Sequence, residues 1–127
     1  MRAKAKRLNN GEWVEGYYVH QHGCDSIYLR DGVDSEYGSD NYHIDVKTLS
    51  FCTEKTDVDN NLIWTNDIVQ PVNNIHVGVV EYSVEDACFI LKTSDNLSYM
   101  LSYFESLKKL GNIFDYSELV SGRKENK

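Results

Sequence analysis

Apolar and polar residues alternate with a period of two along much of this chain, and the alternating runs end at corners rich in Asn, Asp and Gly. That is the pattern of short antiparallel strands joined by tight turns. Arg2, Lys4 and Lys6 interleave with Ala3 and Ala5, which predicts a first strand ending near Arg7. Asn9-Asn10-Gly11 then supplies the positive φ values of a type I′ hairpin corner. The strand expected over 12–21 places Trp13, Glu15, Tyr17 and Val19 on one face and Val14, Tyr18 and His20 on the other. Gly16 between them marks a bulge or a close backbone approach.

Further strands are expected at 26–30, 42–46, 75–83, 87–92 and 97–101, with corners at Asp31-Gly32, Val84-Glu85-Asp86 and Asp95-Asn96. The polar loop over 33–41 is expected to be the most mobile segment. A single helical turn is read at 46–50. Residues 104–110 could form a helix, since Phe104, Leu107 and Leu110 fall three apart. Asp115 and Glu118 have capping-box spacing and predict a short final helix over 115–119.

The most distinctive stretch is 51–69. Thr56, Asp57, Asp59, Asn60 and Asn61 form a tight turn, Leu62, Ile63 and Trp64 supply apolar mass, Asn66-Asp67 turns again, and Ile68-Val69 opens a β-branched run that Pro71 closes. This stretch resembles the signature segment of the YopX family of phage and prophage proteins. Thr53, Asp57, Ile63, Asp67, Ile68 and Val69 match it, and Trp64 stands where the family has Phe or Tyr. Glu54, Asn60 and Asn66 replace family glycines; Asn tolerates the left-handed backbone that Gly would serve, whereas Glu54 does not.

The resemblance extends to Asn10-Gly11-Glu12-Trp13-Val14 with Gly16-Tyr17, to Gly78-Val79-Val80-Glu81-Tyr82, and to Gly111-Asn112-Ile113-Phe114 with Glu118-Leu119. It implies a small, β-rich, homo-oligomeric protein of mobile elements with no established reaction. It also implies a strand rather than a helix at 107–114. The expected fold is therefore mainly β (β-rich α+β): antiparallel hairpins, a small SH3-like or barrel-like C-terminal part and a short C-terminal helix. One YopX-like domain is expected over 1–122, with a hairpin part over 1–50 and a small barrel over 51–120, followed by a disordered tail at 123–127.

Composition narrows the function. The 127 residues carry 13 basic and 20 acidic side chains, a net charge of -7, which disfavours non-specific attachment to nucleic acid or an anionic membrane. No run of about 18 apolar residues offers a membrane span, and no apolar signal-peptide core follows the N-terminus, so a cytoplasmic location in the host cell is expected. Cys24, Cys52 and Cys88 are odd in number and widely spaced, and no disulfide is expected.

The chemistry on offer is sparse. His20, His22 and Cys24 would share a face of an extended strand, yet a closed zinc site needs four ligands. Asp57, Asp59 and Asn61 open like a calcium loop, but Leu62 and Ile68 stand where Gly and Glu are required. There is no nucleophile motif, phosphate-cradling glycine run or dinucleotide fingerprint. No enzyme, metal or cofactor is expected.

Aromatic residues are the more informative feature. Trp64, Phe89 and Phe114 are assigned to the core. Trp13 and Tyr17, with Tyr18 beside them, adjoin the basic strand bearing Lys4 and Lys6, and a cation-plus-aromatic surface suits a nucleotide or phosphate ligand. The same charges also serve as protection of an exposed strand edge. Lys4, Lys6, Trp13 and Tyr17 are thus the candidate ligand-binding residues. The expected function is a non-enzymatic, homo-oligomeric counter-defence factor that binds or sequesters a host component, either a host protein or a nucleotide signal. A nucleic-acid accessory protein and a structural phage module are the alternatives.

Overall fold

A computed structural model describes residues 1–29 and 41–115. These residues are mainly β, in antiparallel ladders, and fall into two compact units that divide between Cys52 and Thr53. The corner at Asp31-Gly32, most of the loop over 33–41 and the tail at 123–127 lie outside the described residues.

The first unit contains β1 (Ala3–Arg7), β2 (Trp13–Gln21), β3 (Cys24–Tyr28) and the first part of β4 (Asn41–Thr56). β1 pairs with β2, β2 with β3 and β3 with β4, all antiparallel, and β4 pairs again with β1. The circuit β1-β2-β3-β4-β1 is therefore complete, with β2 passing from β1 to β3 after Gly16 and β4 passing from β3 to β1 after His43.

Alternation decides what fills the interior. Ala3, Ala5, Ile27 and Ile44 are buried, with Val14, Tyr18, Leu49 and Phe51 packed against them. Gly16 is required by proximity, because a Cβ there would stand 2.2 Å from the Tyr28 carbonyl oxygen. The register on either side of it runs without a bulge.

Two corners differ from expectation. β1 and β2 are joined not by a two-residue loop but by a longer one, closed by Arg7 N–H to the Glu12 carbonyl (2.9 Å) and by Gly11 N–H to the Arg7 carbonyl (2.9 Å), with Gly11 at φ +72°. His22-Gly23 forms the tight two-residue corner between Gln21 and Cys24, both residues at positive φ.

The helical turn read at 46–50 is absent; the segment is part of β4. Between the pairs Lys6–Asp45 and Lys4–Ser50, residues 46–49 bulge out opposite Ala5. Side chains replace the missing ladder bonds. The Thr48 hydroxyl accepts from Lys6 N–H at 2.8 Å and donates to the Asp45 carbonyl at 2.7 Å, and Asp45 Oδ1 accepts from Lys47 N–H. A Thr and an Asp that bond the nearby backbone favour a bulge over a helical turn.

The second unit begins at Thr53, in the last residues of β4, and continues through β5 (Leu62–Trp64), β6 (Asp67–Pro71), β7 (Gly78–Ser83), β8 (Cys88–Thr93), β9 (Ser98–Met100) and β10 (Leu107–Asn112). The sheet order is β10-β6-β7-β8-β9, with a 3₁₀ turn at Leu101–Tyr103 between β9 and β10 along the chain. Ile63, Val69, Val80, Leu91, Leu101 and Leu107 form its core, and Phe89 and Phe104 pack against it. Residues 107–112 are a strand, not a helix.

No C-terminal helix occurs among the described residues. Beyond Asp115 the expected helix at 115–119 falls outside them, and Asp115 lies in a turn whose backbone is capped by Asn112: Asn112 Oδ1 accepts from Phe114 N–H and Asp115 N–H, each at 2.9 Å.

Asp57 organises the turn between β4 and β5. Its Oδ1 accepts from Asp59 N–H and Asn61 N–H, each at 2.9 Å, and its Oδ2 from Lys109 N–H at 3.0 Å. Burial, the largest single influence, pushes the Asp57 carboxyl up, but the bonds from Asn61, Lys109 and Asp59 together outweigh it and hold the group below the usual carboxylate range. Asp67 is fully buried, accepts from Trp64 N–H at 2.7 Å and lies 3.2 Å from Lys109 Nζ.

Candidate functional site

The face expected to carry Lys4, Lys6, Trp13 and Tyr17 is assembled by the β1–β2 ladder. Lys6 stands opposite Trp13 and Lys4 opposite Glu15. Directly opposed residues share a face, so both lysines project on the side of Trp13, Glu15 and Tyr17, while Ala3 and Ala5 face the core. The Lys4 and Lys6 ammonium nitrogens lie 4.8 and 5.4 Å from the centroid of the half-buried Trp13 ring. Each such contact contributes about 0.5–1 kcal/mol where the pair is exposed. Together they hold two positive charges beside one aromatic surface.

Tyr17 is on the same face, 37% exposed, one pleat beyond Glu15 and opposite Tyr28. Lys4, Lys6 and Trp13 are thus brought into contact, and Tyr17 lies further along the same face. Glu15, between Trp13 and Tyr17, sets a carboxylate opposite Lys4, so an anion bound here must compete with it. The arrangement can stack a planar ring and neutralise a phosphate. It offers no paired nucleophile and base.

His20, His22 and Cys24 do not come together as a metal site. The corner at His22-Gly23 breaks the alternation that would have aligned them. Among the described residues no group of three His, Cys, Asp or Glu side chains is disposed to hold a metal ion. His20 instead places Nδ1 2.7 Å from Asp25 Oδ1, which also accepts from the Tyr18 hydroxyl. The Tyr18 bond, then the His20 bond, hold the Asp25 carboxyl below its usual range against a smaller opposing effect of burial. The same hydrogen bond, with burial and the charge of Asp25, raises the Tyr18 hydroxyl. Asp57, in the calcium-like stretch, has its two oxygens engaged by backbone amides.

Comparison of the chain with protein-family models, with curated proteins and with solved structures finds no match in any of the three. The physical features of the chain must carry the functional reading.

Two clusters escape sequence reasoning. The Arg7 guanidinium carbon lies 4.0 Å from the Tyr42 ring centroid at one end of the first unit. Nothing in the spacing of these residues signals that contact, because it exists only once β4 returns to β1. In the second unit Tyr99, Tyr103 and Phe104 pack ring against ring, with Tyr99 and Tyr103 stacked at 6.3 Å and Tyr103 74% exposed. Three aromatics within six residues were the available signal. For the core assignments, Trp64 is buried, Phe89 packs against the second core, and Phe114 is half-buried.

No helix among the described residues is long and apolar enough to cross a membrane.

Proposed function

We propose that the chain is a non-enzymatic, homo-oligomeric binding protein of the phage and prophage kind implied by the YopX resemblance. In this reading it acts in the host cytoplasm and sequesters a nucleotide signal as a counter-defence factor. The observation that carries the reading is the pair of ammonium groups at 4.8 and 5.4 Å from the Trp13 ring, with Tyr17 on the same face. A nucleotide matches that surface: its base stacks on Trp13 and its phosphate meets the Lys4 and Lys6 ammonium groups.

The family resemblance gains support from backbone geometry. At the three positions where this chain replaces family glycines, Glu54, Asn60 and Asn66, φ is +64°, +65° and +74°. Those are the left-handed conformations for which glycine is favoured. The strand order β10-β6-β7-β8-β9, with a 3₁₀ turn before the returning strand, supports an SH3-like barrel for the second unit. Exposed Tyr82, Val84, Met100 and Tyr103 give that unit apolar area on which copies can associate.

Thermal denaturation of the purified protein against a panel of linear and cyclic nucleotides tests the binding site. A saturable rise in Tm, lost in the Lys4→Gln/Lys6→Gln double variant and accompanied by quenching of Trp13 fluorescence, is expected. No shift with any nucleotide at saturating concentration removes the nucleotide reading. Light scattering tests association separately, and a monomer at high concentration removes the homo-oligomer.

A further inference from the structure

The closed ladder of the first unit has an end built differently from its flank. On β1 the interior positions run Ala3, Ala5, Arg7, and on β4 they run Tyr42, Ile44; Arg7 stands opposite Ile44 in the register. Arg7 and Tyr42 therefore continue the core face past its last aliphatic residue, at the mouth of the barrel. The guanidinium carbon lies 4.0 Å from the ring centroid. A cleft of about 430 Å³ opens there, lined by Arg7, Leu8, Asn9, Asn41, Tyr42 and His43.

We propose that this cleft binds an organic phosphate, with the Arg7 guanidinium as the anchor of the phosphoryl group. Three observations converge. First, none of the described lining residues carries a carboxylate, in a chain with 20 acidic residues, and no ion pair joins Arg7 to a carboxylate among the described residues. Second, contact with the Tyr42 ring restricts the Arg7 guanidinium, so less side-chain freedom remains to be lost when its N–H fork meets two phosphate oxygens. Third, the cleft exceeds the needs of a bare phosphate and lies in the size range of small-molecule sites. Leu8, 66% exposed, and the Asn9 amide border the space left for the organic part. The site is independent of the Lys4–Lys6–Trp13 face, since β-strand alternation sends Arg7 to the opposite side of β1 from Lys6.

The test uses glucose 6-phosphate, which carries a phosphate but no aromatic base to stack on Trp13, with glucose as the control. Titration is followed by nitrogen–proton NMR of the Arg7 side chain and the Asn9 amides. Glucose 6-phosphate is expected to saturate these signals, and glucose to bind at least tenfold more weakly. Arg7→Gln should weaken binding at least tenfold, and Tyr42→Leu, which keeps the charge and removes the ring, two- to fivefold. Lys47→Gln, an exposed neighbour outside the cleft, should stay within twofold. Backbone amide spectra of each variant report whether it folds, and Tyr42→Leu serves if Arg7→Gln does not. Equal binding of glucose and its phosphate, unchanged affinity in the folded variants, or perturbations centred on Lys4, Lys6 and Trp13 would overturn the proposal. The last outcome would leave the nucleotide reading of that other face standing.

Discussion

Single residues hold unusual backbone and charge states here, and each makes a measurable claim. Glu54 sits at φ +64°, a conformation that costs an L side chain about 1 kcal/mol or more. Glu54→Gly is expected to stabilise the protein by roughly 0.5–1 kcal/mol, the relief of strain being partly offset by the freer unfolded chain, read as a higher urea midpoint. Gly16 carries the opposite expectation. With the Tyr28 carbonyl 2.2 Å from where a Cβ would stand, Gly16→Ala should cost about 2–3 kcal/mol. Asp57 makes stability depend on pH: because its folded pKa is held below the ordinary value of 3.8, its contribution is complete above that value and is lost as pH falls through the lower folded one. Asp57→Asn should flatten that acid limb and lower stability at neutral pH by about 2 kcal/mol, since an amide accepts fewer of the three backbone donors. The Asx chemistry of 56–61 was readable because it is local. That Lys109 supplies the third donor was not, because β10 lies about fifty residues away in sequence.

Among the elements, the β4 bulge separates propensity from context. Residues 46–49 admit a helical turn in isolation, and they become a bulge because Lys6 on β1 needs an acceptor that Thr48 provides. Thr48→Val should leave that N–H without its bond, cost about 1–3 kcal/mol and speed hydrogen exchange at the Lys6 amide specifically. An unchanged exchange rate would show that the bulge does not depend on the hydroxyl. In the second unit β10 reaches β6 partly through Lys109, whose ammonium meets buried Asp67 at 3.2 Å and also donates to the Leu62 carbonyl. Lys109→Met keeps most of the volume but strips a fully buried carboxylate of its counter-charge, and a loss of about 3 kcal/mol in chemical denaturation is expected. The strand character of 107–112 came from the family resemblance, not from the apolar spacing, which fits a helix equally well.

For the whole molecule, net charge and surface chemistry pull apart. At -7 the chain should show no binding to labelled single-stranded DNA even at low salt, although Lys4, Lys6 and Arg7 stand together on β1. Salt-dependent binding there would favour the nucleic-acid accessory reading over the nucleotide one. The sequence by itself determined that the protein is mainly β and where most of its corners fall, because alternation and turn chemistry act over neighbouring residues. Only the tertiary structure decided that β4 returns to close a barrel with β1, that Arg7 meets Tyr42 at its mouth, and that Asp57 and Asp67 are tied to β10. Those pairings join residues 35 to 52 positions apart, and at that range it is shared burial and hydrogen bonding, not local preference, that selects one partner from many.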